Sequence, residues 1–240
     1  MMAKSVTYFA VPGLPLIKPR DDLAALIVVA LKAAQLQLTS GDVVVVAQKI
    51  LSKAENRYVE LKHVQPSRRA RDLADQTGKD PRYIEAVLSE STEVVRHRPN
   101  VLIVAHRLGF VMANAGIDRS NIGDGHEDQV LLLPEDPDAS AATLASKLAA
   151  RFGVSPAILI TDSFGRPWRQ GVVNVGIGAW GLPSLDDRRG DVDRQGRRLE
   201  VTQVAYADLI ASAAGLAMGE AAEGVPAALV RGLRLKATHN

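Results

Sequence analysis

The 240-residue chain contains no cysteine, which excludes disulfides, thiolate metal sites and cysteine nucleophiles together. Aromatic residues make up only 4% of it, so its core must be aliphatic. Neither sign of charge is in excess. The 29 basic and 27 acidic residues leave a formal charge of +2 spread along the chain, which gives no field suited to wrapping nucleic acid. Long apolar runs are missing too: the most apolar region, Gln203 to Met218, carries Asp208 and is too short and alanine-rich for a membrane span. Pro12 and Pro15 interrupt the N-terminal stretch where a secretory signal would lie. A cytoplasmic protein with no membrane or nucleic-acid partner is expected. No G-x-x-x-x-G-K-[ST] loop, no G-x-G-x-x-G after a strand and no G-x-S-x-G elbow is present. The histidines at 63, 97, 106, 126 and 239 show no metal-ligand spacing, so zinc chemistry and hydrolase triads find no support.

What is present is the composition of a globular protein, 47% apolar and 23% charged. Ser5 to Ala10 reads as a strand, and apolar residues at three- and four-residue spacing predict a helix over Asp21 to Ala34. The β-branched run Val43 to Ala47 suits a strand buried on both faces, and Gln48 to Asn56 leave its end. Ser67 to Thr77 and Asp80 to Glu93 read as two peripheral helices. Val101 to Ala105 and Gly109 to Asn114 read as a hairpin, followed by a loop to Asn121 and a polar loop from Gly123 to Gln129. Ser140 to Gly153 is a predicted helix, Ala157 to Thr161 a short strand, Asp162 to Arg169 a loop and Val172 to Gly178 another strand. The polar stretch from Leu182 to Arg198 reads as a surface loop or edge hairpin, Thr202 to Met218 as a helix, Gly219 to Pro226 as a loop, and Ala227 to Arg231 as the last strand. Strands and helices alternate irregularly, without internal repeats. That favours one α+β unit of mixed sheets with flanking helices, arranged as two lobes.

Two segments place a carboxylate just after an apolar strand: Asn114 to Asp118, and Ile160 to Ser163. Asp118, Asp162 and the Ser163 hydroxyl make a hard, all-oxygen set suited to magnesium or manganese. An aspartate in such a position also serves as a turn or cap residue. Arg166 and Arg169 follow Asp162 closely and could present guanidiniums to phosphate, or could be surface ion-pair partners with Trp168 as a packing residue. Lys53 lies just beyond a buried strand, where it could reach a phosphate or simply be solvated, and its substitution is expected to leave the melting temperature unchanged.

Five ordered blocks resemble the coenzyme F-420:L-glutamate ligase family: Gly13 to Ile17, Ser52 to Glu55, Asn114 to Asp118 with Asn121, Thr161 to Ser163 with Gly165 and Arg166, and Met218 to Glu220 with Gly224 to Pro226. The resemblance spans nearly the whole chain. It implies GTP-dependent addition of L-glutamate to coenzyme F-420-0, and then by γ-linkage to F-420-1, through an acyl phosphate. Asp118, Asp162 and Ser163 would hold magnesium or manganese, with potassium as a further ion of the family. Leu14, Pro15, Leu16, Ile17, Gln48, Lys49, Lys53, Asn121, Met218, Gly219, Glu220, Ala221, Ala222, Glu223, Gly224 and Val225 would contact the nucleotide. It also implies an intertwined homodimer and, for a chain ending at Asn240, no flavin-binding nitroreductase-like domain. Ala221, Ala222 and Glu223 stand where many relatives have a glycine-rich acidic loop, which bears on nucleotide preference. Two other readings fit the same residues: a metal-dependent phosphohydrolase or ligase for another carboxylate acceptor, and a non-catalytic protein that binds a phosphorylated ligand.

Overall fold

A computed structural model describes residues 5–122 and 128–235. Its elements in chain order are β1 (Thr7–Ala10), α1 (Leu23–Ala33), β2 (Val43–Ala47), α2 (Gln48–Ala54), β3 (Tyr58–Glu60), α3 (Arg68–Thr77), α4 (Pro81–Ser89), β4 (Ser91–Arg98), β5 (Val101–His106) and β6 (Val111–Ala113). They continue with β7 (Gln129–Leu131), α5 (Pro137–Phe152), β8 (Ala157–Arg166), β9 (Arg169–Trp180), β10 (Leu185–Asp187), β11 (Gln203–Ala205), α6 (Tyr206–Met218) and β12 (Ala227–Arg231). The protein is α+β, as the irregular alternation predicts. Among the described residues no helix is long and apolar enough to cross a membrane.

A five-stranded sheet in the order β1-β12-β2-β8-β9 forms the frame, with β2 and β8 parallel and the other neighbours antiparallel. Strand alternation explains how it is covered. Val44, Val46, Ile158, Ile160 and Leu229 meet residues of α1 and α5 on one face. Val43, Val45, Leu159, Ala228 and Val230 meet Ala207, Ile210, Ala211 and Ala214 of α6 on the other. The run Val43 to Val46 is therefore fully buried, as its lack of polar alternation requires.

A second core fills the space between α3, α4 and the three-stranded sheet β4-β5-β6, with Leu73, Ile84, Val87, Leu102 and Val104 at its centre. This corrects the expectation of peripheral helices: α3 and α4 each bury one apolar face in a core of their own. The predicted Asp80 to Glu93 helix is also too long. Asp80 caps α4 and Pro81 opens it, but Glu90 is pulled inward by Arg57 and Arg107 at 3.1 Å each, and the chain leaves as β4. The predicted loop after Thr161 is likewise absent, because β8 runs on to Arg166 and turns through Pro167 and Trp168 into β9. Trp168, weighed as a packing residue, is wholly exposed at that tip. Residues 123–127 of the predicted polar loop, and with them His126, lie outside the described residues, as does His239.

Candidate active site at the carboxyl ends of β2 and β8

Register concentrates the candidate residues at one end of the main sheet. Ala47 closes β2 opposite Thr161 of the parallel strand β8, so Gln48 begins α2 beside Asp162. The segment after β1 reaches the same end, with Val11 N–H donating to the Ala227 carbonyl and Arg20 N–H to that of Ala54. Ala47 N–H donates to the Pro226 carbonyl at 2.9 Å, which places the segment entering β12 there too. Loops at the carboxyl ends of parallel strands are a common position for ligand sites, because the sheet is rigid and the loops stay reachable.

Asp118 arrives from the second core. Its N–H and C=O pair with Leu131 at 2.9 and 3.0 Å, and Leu131 in β7 is registered on Tyr58 in β3, shortly after α2. The turn that delivers it is unusual: Asn114, Ala115 and Gly116 have φ of 52°, 54° and 66°, three consecutive residues in the left-handed region. Ala115 is fully buried in that conformation. A Cβ on Gly116 would lie 2.6 Å from Met112 Cε, so the glycine supplies both the φ and the clearance.

Around Asp118 the side chains interlock. Gln48 Nε2 donates to Asp118 Oδ2 at 2.8 Å, Ser52 Oγ holds Gln48 Oε1 at 2.9 Å one helical turn on, and Lys49 Nζ lies 3.5 Å from Asp118 Oδ1. Lys53 Nζ donates to the Asn121 carbonyl at 2.6 Å and Tyr58 Oη to that of Ile122 at 2.8 Å, so the segment after Asp118 is tied to α2 and β3. Lys53 is 8% exposed, which corrects the solvated-lysine reading. Of the nine buried polar or charged residues among those described, Gln48, Ser52 and Lys53 belong to this neighbourhood, and Thr161 and Asn174 lie just across β8 on its other face. Buried polar groups are costly unless they serve structure or function, so their concentration marks the site.

The electrostatics agree. Burial, with the charge of Asp118 behind it, pushes the Asp162 carboxyl up to about 7. Burial raises Asp118 as well, against the opposing pull of Lys49. Burial and then the charge of Lys49 push Lys53 down. Two buried carboxylates, one raised further by the charge of the other, are relieved by a shared cation. Among the described residues no group of three or more His, Cys, Asp or Glu is gathered. Two carboxylates are a donor set that fits magnesium or manganese, which rarely take an all-protein cage and complete their shell with phosphate and water.

The other expected residues lie on neighbouring strands and loops of the fold. Ile17 is buried in the main core and Leu14 packs against it, while Pro15 and Leu16 face solvent. Ser163 is exposed and registered on Asn174. Strand alternation sends its side chain to the face opposite that of Asp162, with Thr161, whose Oγ1 lies 3.4 Å from Asn174 Oδ1. Asn174 Nδ2 donates to Glu220 at 2.5 Å, which ties the segment after α6 to β9. Met218 is buried, Gly219 has φ 78°, and Glu223 closes the loop by accepting from Ala221 N–H at 2.8 Å. Ala222, Gly224 and the half-buried Val225 complete that segment. Arg166 and Arg169 are cross-strand partners at the far end of the β8-β9 hairpin. Among the described residues neither bonds to the carboxylate pair, and Arg166 Nη1 is buried without a partner. In the sequence Ser52 and Asn114 stand out only as parts of motifs, although the i,i+4 spacing of Ser52 from Gln48 puts both on one helix face.

Fold and site together define an α+β protein with a lysine-flanked, all-oxygen cluster at the carboxyl ends of two parallel strands. Residues 13–232 match the family model of the F-420-0:gamma-glutamyl ligases. The coenzyme F-420:L-glutamate ligase of Methanopyrus kandleri is 49% identical over 218 residues, covering 91% of this chain and 83% of that relative. The proteins of the same name from Methanothermobacter thermautotrophicus and Archaeoglobus fulgidus are 45% and 44% identical, covering 95% and 96% of this chain and 89% of each relative. The chain belongs to the F-420-0:gamma-glutamyl ligase family.

Proposed function

We propose that this protein joins L-glutamate to coenzyme F-420-0, and by γ-linkage to F-420-1, at the expense of GTP. The observation that carries the reading is the Asp118–Asp162 pair, set among Gln48, Lys49 and Lys53 in a chain of this family. In the proposed reaction the terminal carboxylate of the acceptor attacks the γ-phosphorus, the bond to the bridging oxygen breaks, and GDP leaves. The amine of glutamate then attacks the acyl phosphate, phosphate departs, and the amine proton is lost as the amide forms. Such transfers need positioning and charge neutralisation more than covalent participation by the protein.

Asp118 and Asp162 would hold magnesium or manganese, with Ser163 next to Asp162 in the chain but on the opposite face of β8, and potassium as a further ion. When bound, the divalent cation neutralises charge on the phosphates. Lys49 and Lys53 supply positive charge from α2, and Gln48 orients Asp118. Leu14 to Ile17, Asn121 and Met218 to Val225 form the nucleotide's surroundings. Arg166 and Arg169 act on phosphate from the hairpin. A homodimer of two-lobed subunits completes the reading, supported by the exposed apolar side chains of Trp168 and Val172 on that same hairpin. Multiple-turnover GDP release measured with and without each substrate is the test: it should require magnesium, F-420-0 and glutamate together, because the acyl phosphate is consumed only when glutamate accepts it. GDP formed equally fast without glutamate would instead identify a phosphohydrolase.

A further inference from the structure

Beside Asp118 a cavity of about 520 Å3 extends toward the junction of α3 and α4, lined among others by Lys79, Tyr83, Asn114, Asp118, Arg119 and Ser120. Its volume is in the range of small-molecule sites. Tyr83 is its rigid wall: the side chain is 4% exposed, and its hydroxyl faces the Ile117 carbonyl at 3.4 Å. Two cations flank the ring, Lys79 Nζ at 5.9 Å and the Arg119 guanidinium at 5.4 Å from its centroid. Among the described residues neither makes an ion pair or a hydrogen bond to a side chain, whereas Lys49, Lys53, Arg57, Arg82 and Arg107 nearby all have partners. Asp80, the carboxylate next to Lys79, is committed elsewhere, capping α4 and gripping Arg82 at 2.6 Å. The third polar feature is Asn114, whose Oδ1 is buried with no hydrogen-bond partner. An orphaned acceptor held by a left-handed backbone is costly to keep and awaits a donor.

We infer that this cavity seats the amino-acid substrate, an α-amino dicarboxylate whose two carboxylates meet Lys79 and Arg119 and whose amine meets Asn114 Oδ1. The inference rests on the ligase reading above and adds to it the place of the second substrate and the residues that recognise its two carboxylates and its amine. Two cations and one acceptor without a polar side-chain partner among the described residues are the complement of two carboxylates and one N–H donor. A monocarboxylate would leave one cation unmatched. Because Asp118 lines the same cavity, an amine bound there lies next to the cluster assigned to phosphoryl transfer.

Steady-state kinetics on the full chain tests this. Lys79→Met and Arg119→Met should each raise the KM for L-glutamate about tenfold or more, as expected for a lost charge-assisted hydrogen bond. The KM values for F-420-0 and GTP should stay within about twofold, since partners outside the pocket are untouched. Lys79→Arg should keep most of the glutamate affinity, and the variants should discriminate less than the wild type between L-glutamate and L-glutamine. An unchanged glutamate KM, or a rise confined to F-420-0 or GTP, overturns the inference while an active wild type leaves the ligase reading standing. A wild type that forms no amide removes both.

Discussion

Asp162 is the residue on which the electrostatics turn. Its carboxyl, ordinarily near 3.8, is held at about 7 by burial and by Asp118. Between about pH 4 and 7 the folded protein therefore keeps a proton that the unfolded chain has already released, so metal-free stability falls as pH rises through that window and levels off above it. Thermal denaturation in EDTA should show a melting temperature several degrees lower at pH 8 than at pH 5.5, with magnesium restoring it. Asp162→Asn should remove the magnesium response, abolish ligation and leave the fold intact. A variant with unaltered turnover at saturating magnesium would take Asp162 out of the site. Lys53 tells a different story from the one its position beyond a strand implies. Its buried ammonium holds the Asn121 carbonyl, so Lys53→Met should cost stability as well as nucleotide affinity. A drop of about 1 to 3 kcal/mol in unfolding free energy is expected, together with a tenfold to hundredfold weaker GTP titration. An unchanged melting curve would restore the solvated-lysine reading.

At the scale of elements, the left-handed turn Asn114–Gly116 and the short helix α2 make the site. Gly116→Ala combines a disfavoured φ with a contact on Met112 and Leu133, so a loss of about 2 kcal/mol or more should appear in denaturant titration. Full stability in that variant would mean the turn relaxes freely and has no part in placing Asp118. The sequence made much of this scale legible where one physical signal dominates. Val43 to Val46 could only be a doubly buried strand, and the hairpin of β5 and β6 followed from its apolar runs. It was silent where tertiary contacts decide. The α4-to-β4 boundary is set by Arg57 and Arg107 drawing in Glu90 from distant parts of the chain. The extension of β8 past Asp162 depends on pairing with β9, and Phe164 against Phe110 at 6.0 Å then ties that extension to the β5-β6 hairpin. The candidate carboxylates could be picked out as strand-end aspartates, but their convergence needed the β3-β7 pairing, which brings Asp118 to α2 and which no local pattern announces.

For the molecule as a whole, the main sheet gathers four chain segments at one end while the second core delivers Asp118 and the Lys79–Arg119 cavity to the same place. The wholly exposed Trp168 and half-exposed Val172 leave an apolar hairpin end that a second copy would cover. Light scattering at micromolar concentration should give twice the chain mass, and a monomer would remove the dimer from the account. The most direct test is a single incubation of the purified chain with F-420-0, L-glutamate, GTP and magnesium, followed by mass spectrometry of the coenzyme. The expected product is heavier than F-420-0 by one or two glutamyl residues, forms with stoichiometric GDP, and vanishes with EDTA or with Asp162→Asn. An unmodified coenzyme under those conditions would contradict the assignment of this site to glutamate ligation.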